Sequence, residues 1–356
     1  HADLIKGKVS SSISHLYHRP RVWLEGYHSL GWGATPATLM KATCENYLYG
    51  CTLLNLHGLY YTTHGSFWEW APPCYHFRMP YWDHMGIFLE YFERLSYLLS
   101  QGVHCCDVAM MYPVAPFQAG LNGGEATGVA FDTGQRLMAA GIDWDFMDFQ
   151  SLARAEVRDG RLCVSGEAYC VLILPAMQAV RWSTLQKAAE FRRAGGIVIA
   201  VGALPCASDR AGRDDPQLDA LVKELFSTAG VGTSLTLGKP EEVPAQIERI
   251  VGRHVQSVSP VMSLHRKVGD RDVFMVMGAA KGSECVFRAQ GRPELWDPWT
   301  GGTRLLCVVS QNADGTTVRM PFEDYEAQVI VFSPGQAEPV DLDVTATGGD
   351  RERVRL

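Results

Sequence analysis

The sequence predicts an α/β chain as far as about residue 257 and an all-β chain beyond it, on three observations. Strand-like apolar runs alternate with helix-period segments; helices cease from about Pro260; and the short strands that follow are separated by Gly269-Asp270, Lys281-Gly282, Gly301-Gly302 and Asp314-Gly315 turn signals. A chain of 356 residues is also longer than one hydrophobic core usually organises. The expected segments are 1–106, 107–257, 258–335 and a linker or tail over 336–356.

Arg21 to Glu25 reads as a short strand. Pro36 to Tyr49 reads as a helix, with Thr35 as N-cap, Pro36 at the first helical position and Gly50 after the end. Cys51 to His57 is a second strand that leads into an aromatic-rich loop, and Trp82 to Gln101 has helical periodicity stopped by Gly102. This rhythm is that of a β/α architecture.

In the middle segment, Val108 to Tyr112, Asp143 to Met147, Tyr169 to Leu174 and Ile197 to Val201 read as strands. Phe131 to Ala140 and Trp182 to Ala194 read as helices. Such units describe an open, mostly parallel sheet covered by helices on both sides, flavodoxin-like, interrupted by a hairpin over Ala155 to Val164 that turns at Asp159-Gly160. The C-terminal strands are expected at Ser263 to Val268, Val273 to Met277, Glu284 to Arg288, Thr303 to Val309, Thr316 to Met320 and Ala327 to Ser333, as in a β-sandwich.

A net charge of -7 and scattered basic residues argue against nucleic acid as a partner. No apolar run reaches the roughly 18 to 20 residues that span a bilayer, so no membrane is expected. The ten cysteines form no CxxC pair and no repeated ligand spacing, which argues against zinc. Cys163, Cys170 and Cys285 sit in apolar strand-like contexts, where free thiols act as small core residues, and this favours a reducing compartment such as the cytoplasm. The opening residues carry no export signal and read as the middle of a domain.

Catalytic groups of barrel enzymes stand at the C-terminal ends of strands, where loops converge on one pocket. Glu25 holds such a place, directly after Val22-Trp23-Leu24; a surface strand-end glutamate would need no function. The second strand ends at His57, which either bonds a ligand hydroxyl or is satisfied by a backbone carbonyl. Beyond it come Tyr60, Tyr61, His64, Phe67, Trp68, Trp70, Tyr75, His76, Tyr81 and Trp82. Any one of these rings is explained by a loop mini-core stiffened by Pro72, Pro73 and Pro80. Together they suit a sugar, which presents an apolar C–H face and a rim of hydroxyls. Tyr61, His64, Trp68, Trp70, His76 and Trp82 join His57 as candidate substrate contacts, and Glu25 is the candidate catalytic carboxylate. Gly120-Leu-Asn-Gly-Gly and Ala194-Gly-Gly-Ile lack the GxGxxG order of a nucleotide site. The middle segment therefore reads as structural or as a surface for homo-oligomer formation. A glutamine-amidotransferase-like role would require a nucleophilic Cys at a strand-to-helix elbow, and Cys206 in Ala-Leu-Pro-Cys-Ala-Ser is not in one.

The runs Lys8 to His15, Arg21 to Gly58 and Tyr81 to Gly102 resemble the end of the catalytic barrel in glycoside hydrolase family 106, the α-L-rhamnosidases. DVAMMYPV at Asp107 to Val114 resembles the exit from that barrel, and Leu264 to Gly278 and Gly291 to Gly302 resemble the following β-domain. The layout also resembles β-galactosidase-like enzymes. The resemblance implies the C-terminal portion of a (β/α)8 TIM-type barrel in 1–106, a carbohydrate substrate, and Glu25 and His57 as the glutamate and histidine of the family's strand-end motifs. It further implies inverting chemistry, calcium, a second carboxylate in an upstream barrel half of the same polypeptide, and no activity for this chain alone. A non-catalytic carbohydrate-binding or assembly module is the rival reading.

Overall fold

The computed structural model describes residues 6–59, 71–73, 75–77, 79–227, 230–323 and 325–336. The protein is a mixed α/β chain of several open sheets, and none closes into a barrel among the described residues. Two compact units are drawn from His1–Leu24, Glu45–Leu53 and Val103–Gly252, and from Glu25–Cys44, Leu54–Gly102 and Arg253–Leu356. No helix among the described residues is long and apolar enough to cross a membrane.

The chain starts with helix α1 (Lys6–Leu16), followed by β1 (Trp23–Gly26), α2 (Pro36–Leu48) and β2 (Leu53–Leu56). β1 and β2 form a two-stranded sheet. α2 has the expected ends: Thr35 Oγ1 accepts from Thr38 N at 3.2 Å, and the chain turns out at Gly50 with φ +85. A Cβ on Gly50 would lie 2.6 Å from that of Ser11, so both its conformation and its space require glycine. A 3-10 turn at Trp82–His84 then leads into α3 (Met85–Leu99).

The first unit continues with β3 (Val103–His104), β4 (Val108–Met111), α4 (Val114–Gln118), α5 (Gly123–Ala139), β5 (Trp144–Met147) and α6 (Phe149–Arg154). The hairpin of β6 (Glu156–Arg158) and β7 (Arg161–Val164) turns at Asp159 and Gly160, both at positive φ, as a tight antiparallel turn demands. After β8 (Glu167–Tyr169) come β9 (Val171–Pro175), β10 (Ala179–Val180), α7 (Trp182–Arg193) and β11 (Ile197–Val201). The unit ends with β12 (Ala207–Ser208), β13 (Gly212–Arg213), α8 (Pro216–Leu225), β14 (Thr233–Leu237) and α9 (Val243–Ile250). Its main sheet is parallel, in the order β14-β11-β9-β4-β5. Counted along the chain this is the order 2-1-3-4-5 of doubly wound sheets. Ala109, Met111, Leu172, Leu174 and Val198 pack one face onto Leu16 of α1, Leu185 and Phe191 of α7 and Leu218 of α8. Val108, Met110, Val171 and Ile173 point the other way and are equally buried, so both faces are covered.

The second unit adds β15 (Val255–Gln256), β16 (Met262–Val268), β17 (Arg271–Met277), β18 (Glu284–Phe287), β19 (Arg292–Trp296), β20 (Thr303–Leu305), β21 (Val308–Asn312), β22 (Gly315–Arg319) and β23 (Ala327–Ser333). They make two antiparallel arrays, β15-β18-β22-β21 and β20-β19-β23-β17-β16. Phe274, Phe287, Leu295, Val318 and Phe332 from both arrays meet in one core.

The structure departs from the sequence expectations in several places, and α4, α6, α8, α9 and β14 are additions to them. The single strand expected over Thr303 to Val309 is two strands. β19 and α1 were not anticipated. α5 begins at Gly123 rather than Phe131, because Gly123, Gly124 and Gly128 depress the helical signal of its first turns.

Candidate functional site

Glu25 and His57 stand near the ends of β1 and β2, and the backbone bond from His57 N to Gly26 O at 3.0 Å sets their register. His57 Nδ1 donates to Glu25 Oε1 at 2.9 Å. The glutamate side chain is 48% exposed and the histidine 24%, so the pair faces an opening rather than a core. His28 packs edge-on to His57, with ring centroids 5.5 Å apart. In the turn that follows β1, Tyr27 packs its buried ring against those of Tyr75 and Phe92, and Tyr75 Oη donates to the Tyr27 carbonyl at 2.9 Å. Loop backbones are joined by Ser29 N to Ala71 O and Gly31 N to Pro72 O.

The other expected contacts divide. His76 is buried beside Phe77, at the place a loop mini-core predicts, whereas Trp82 is 40% exposed at the head of the 3-10 turn. Tyr61, His64, Trp68 and Trp70 lie outside the described residues. An apolar groove of about 330 Å³ is lined by Met40, Tyr81, Met85, Phe88 and Trp299; neither Glu25 nor His57 lines it, so it is not the seat of their chemistry.

A second constellation, absent from the sequence reading, lies in the α/β unit. α1 turns Lys8, Ser12 and His15 to one side, at i, i+4 and i+7, toward Asp143 and Asp145 at β5. Lys8 Nζ donates to Asp143 Oδ1 at 2.7 Å and lies 3.6 Å from Asp145 Oδ1. His15 Nδ1 is 3.0 Å from both Asp145 oxygens, and Ser12 Oγ and Tyr169 Oη donate to the same carboxylate at 3.0 and 2.9 Å. His104 stacks on His15 at 4.1 Å, bonds Asp143 Oδ2 through Nε2 at 2.7 Å, and turns Nδ1 toward Asp145 and Glu167.

Burial works against every charge here, yet the charges oppose it collectively. Burial lowers the Lys8 ammonium, but Asp143 and Asp145 outweigh it and the group is raised. His104 is likewise raised well above its ordinary value by Asp145 and Asp143 against burial. Asp145 is held well below the usual carboxylate range by His15, His104 and Lys8, again against burial. His15 is lowered, burial outweighing Asp145. Lys8 and His104 thus face Asp143 and Asp145 as cations against anions, with His15 Nδ1 bonded to Asp145 beside them.

Calcium prefers a shell of oxygen ligands. The ligand-type groups that converge among the described residues are His15, His104, Cys106, Asp145 and Glu167, a nitrogen- and sulfur-bearing set that does not fit calcium.

The fold is one that solved glycosidases share. A rhamnosidase from Novosphingobium sp. PP1Y matches with a TM-score of 0.76 and 19% identity, over 97% of this chain and 34% of that one. A β-galactosidase from Bacillus circulans sp. alkalophilus matches with a TM-score of 0.58 and 11% identity, over 90% of this chain and 57% of that one. The curated "Putative beta-glucuronidase" of Formosa agariphila is 26% identical over 359 residues, covering 94% of this chain and 29% of its own length. The sequence profile of the α-L-rhamnosidase family, glycoside hydrolase family 106, matches residues 3–308, and the chain belongs to that family. It spans about a third of the length of the rhamnosidase and of the curated relative.

Proposed function

We propose that this chain forms the C-terminal part of the catalytic apparatus of a glycosidase acting on terminal α-L-rhamnosides, with Glu25 as one of its two acid/base carboxylates. The observation that carries this reading is the 2.9 Å bond from His57 to Glu25 at neighbouring strand ends. The family description and the name of the rhamnosidase that shares the fold support rhamnose as the sugar.

In this reading β1 and β2 are the last strands of a (β/α)8 barrel within 1–106, completed by upstream residues of the same polypeptide. Residues 107–257 are the flavodoxin-like domain, which the 2-1-3-4-5 strand order supports, and 258–335 are a β-sandwich, which the single shared core supports. Two strands alone would leave sheet edges and an apolar interior open, so the chain by itself is expected to be inactive.

Glycoside hydrolysis needs an acid to protonate the departing oxygen and a second carboxylate. In inverting enzymes the second group activates water across a gap of ~6.5 to 9.5 Å; in retaining ones it attacks from about 5 to 5.5 Å. Glu25 takes the base role. His57 holds one of its oxygens and leaves the other to accept a proton from water, with Trp68, Trp70 and Trp82 as the proposed sugar contacts.

The test is Glu25→Gln in the full-length polypeptide with an aryl α-L-rhamnoside. Turnover is expected to fall by roughly 10²- to 10⁴-fold. A variant within a few-fold of wild type sinks the assignment. Aryl β-galactoside and β-glucuronide, assayed alongside, decide a second reading that the names of the other two relatives favour. Glycan binding without any hydrolysis by the wild type would mark a non-catalytic module instead.

A further inference from the structure

We infer that the α/β unit contains a structural site for a zinc-class transition metal, bound by His104, Cys106 and Asp145, with Glu167 as the fourth ligand. These residues come from β3, the segment before β4, β5 and β8, and all are buried, with at most 5% of their surface exposed. The site owes nothing to the proposed sugar chemistry.

Geometry is the first argument. One ligand atom each from His104, Cys106 and Asp145 lies within 4.8 Å of the other two. His104 Nδ1 is 3.2 Å from Asp145 Oδ2 and 3.5 Å from Glu167 Oε2, and Cys106 Sγ is 3.8 Å from Asp145 Oδ2. A tetrahedral ion with bonds of ~2.0 Å to nitrogen and oxygen and ~2.3 Å to sulfur places its ligands about 3.3 to 3.6 Å apart. His104, Cys106 and Asp145 already stand near these separations, whereas Glu167 converges with His104 and His15 and must turn toward the other two ligands to complete the shell.

The second argument is independent. His104 Nδ1 and Glu167 Oε2 are both buried and neither makes a hydrogen bond, although they face one another. Buried polar atoms in native proteins are nearly always hydrogen-bonded, because leaving one unmet is costly. A metal ion between them would satisfy both.

The surroundings are those that metal sites use. A ligating histidine usually gives its other ring nitrogen to a carboxylate, which fixes the ring. His104 Nε2 is 2.7 Å from Asp143 Oδ2, and Asp143 is in turn held by Lys8. The ligating carboxylate of Asp145 is steadied by Tyr169 Oη, Ser12 Oγ and His15 Nδ1. Imidazole, thiolate and carboxylate donors select zinc, cobalt or iron over calcium and magnesium. Metal ligands bind deprotonated, so entry of the ion releases the Nδ1 proton of His104 and the thiol proton of Cys106 to solvent.

The experiment strips the purified full-length protein with a chelator, then titrates it with cobalt and, separately, with zinc. One equivalent per chain is expected, with a thiolate-to-cobalt absorption band and a thermal midpoint that rises with zinc. Cys106→Ser should lose the band, whereas Cys206→Ser, at an exposed cysteine, should keep it. Should Cys106→Ser fail to fold, Glu167→Gln replaces it, with an expected loss of about tenfold or more in metal affinity. A folded wild type that takes up no metal, or a band indifferent to Cys106→Ser or to Glu167→Gln, overturns the site and leaves the cluster a closed ion-pair network.

Discussion

Lys8 Nζ and Asp143 Oδ1 meet at 2.7 Å across 135 residues of sequence, and the lysine has no solvent exposure at all. Removing one member of a buried pair strands the other charge, which typically costs 3–5 kcal/mol. Lys8→Met is therefore expected to lower stability by about 3 kcal/mol or more in urea unfolding. A loss under about 1 kcal/mol would mean that Asp143 and Asp145 are neutralised by other means.

The same cluster predicts a pH profile for the metal-stripped chain. Asp143 is held at about 2 against an ordinary 3.8, with burial opposing and Lys8 and His104 prevailing. A depressed carboxylate contributes stability that is present above pH 3.8 and lost as pH falls through about 2, here on the order of 2 kcal/mol. His15, lowered from 6.5 by burial, adds to the acid loss from pH 6.5 downward. His104 has the opposite sign: its contribution is complete below pH 6.5 and is lost as pH rises through its elevated folded value. Urea midpoints measured across pH should fall toward both extremes, and a profile flat from pH 6.5 to 2 would contradict the ion-pair assignment.

Gly134 on α5 gives way to an indole. Trp144 Nε1 donates to the Gly134 carbonyl at 3.0 Å, and a Cβ on that glycine would lie 2.2 Å from Trp144 Cζ2. Gly134→Ala is expected to destabilise by roughly 1–3 kcal/mol although alanine is the better helix former. A raised thermal midpoint would show that the ring moves aside freely.

His57 touches the carboxylate rather than, in this reading, the sugar. His57→Asn in the full-length enzyme should lower kcat on the order of 10- to 100-fold and change KM much less, because it misplaces a reacting group without removing it. An effect confined to KM would make His57 a substrate contact instead.

Much of the fold is legible in the sequence, for reasons that differ by element. α7 ends at its Gly-Gly pair, β11 and β23 are short buried runs, and the Asp159-Gly160 hairpin turns where its dipeptide prescribes. α1 is hidden because the side it buries is Lys8, Ser12 and His15, and a search for apolar periodicity passes over a polar face. Of the candidate site, Glu25 and His57 are readable as strand-end residues, but the bond between them depends on the register of β1 against β2, which one sequence does not specify. The buried cluster is less accessible still. Its members stand on α1, β3, β5 and β8 and beside β4 and β5, so no local spacing announces them.

β9 is buried at every position from Val171 to Pro175 and sits between β4 and β11. Synthesis from the N-terminus releases β4 and β5 first, so this apolar strand leaves the ribosome with one neighbour already waiting. Its second edge stays open only until Ile197–Val201 follows, which shortens the interval in which a nascent chain could pair with another copy. The last strand to join, β14, brings Thr and Ser to the rim, half open to water, and so makes a poor template for any stranger's strand.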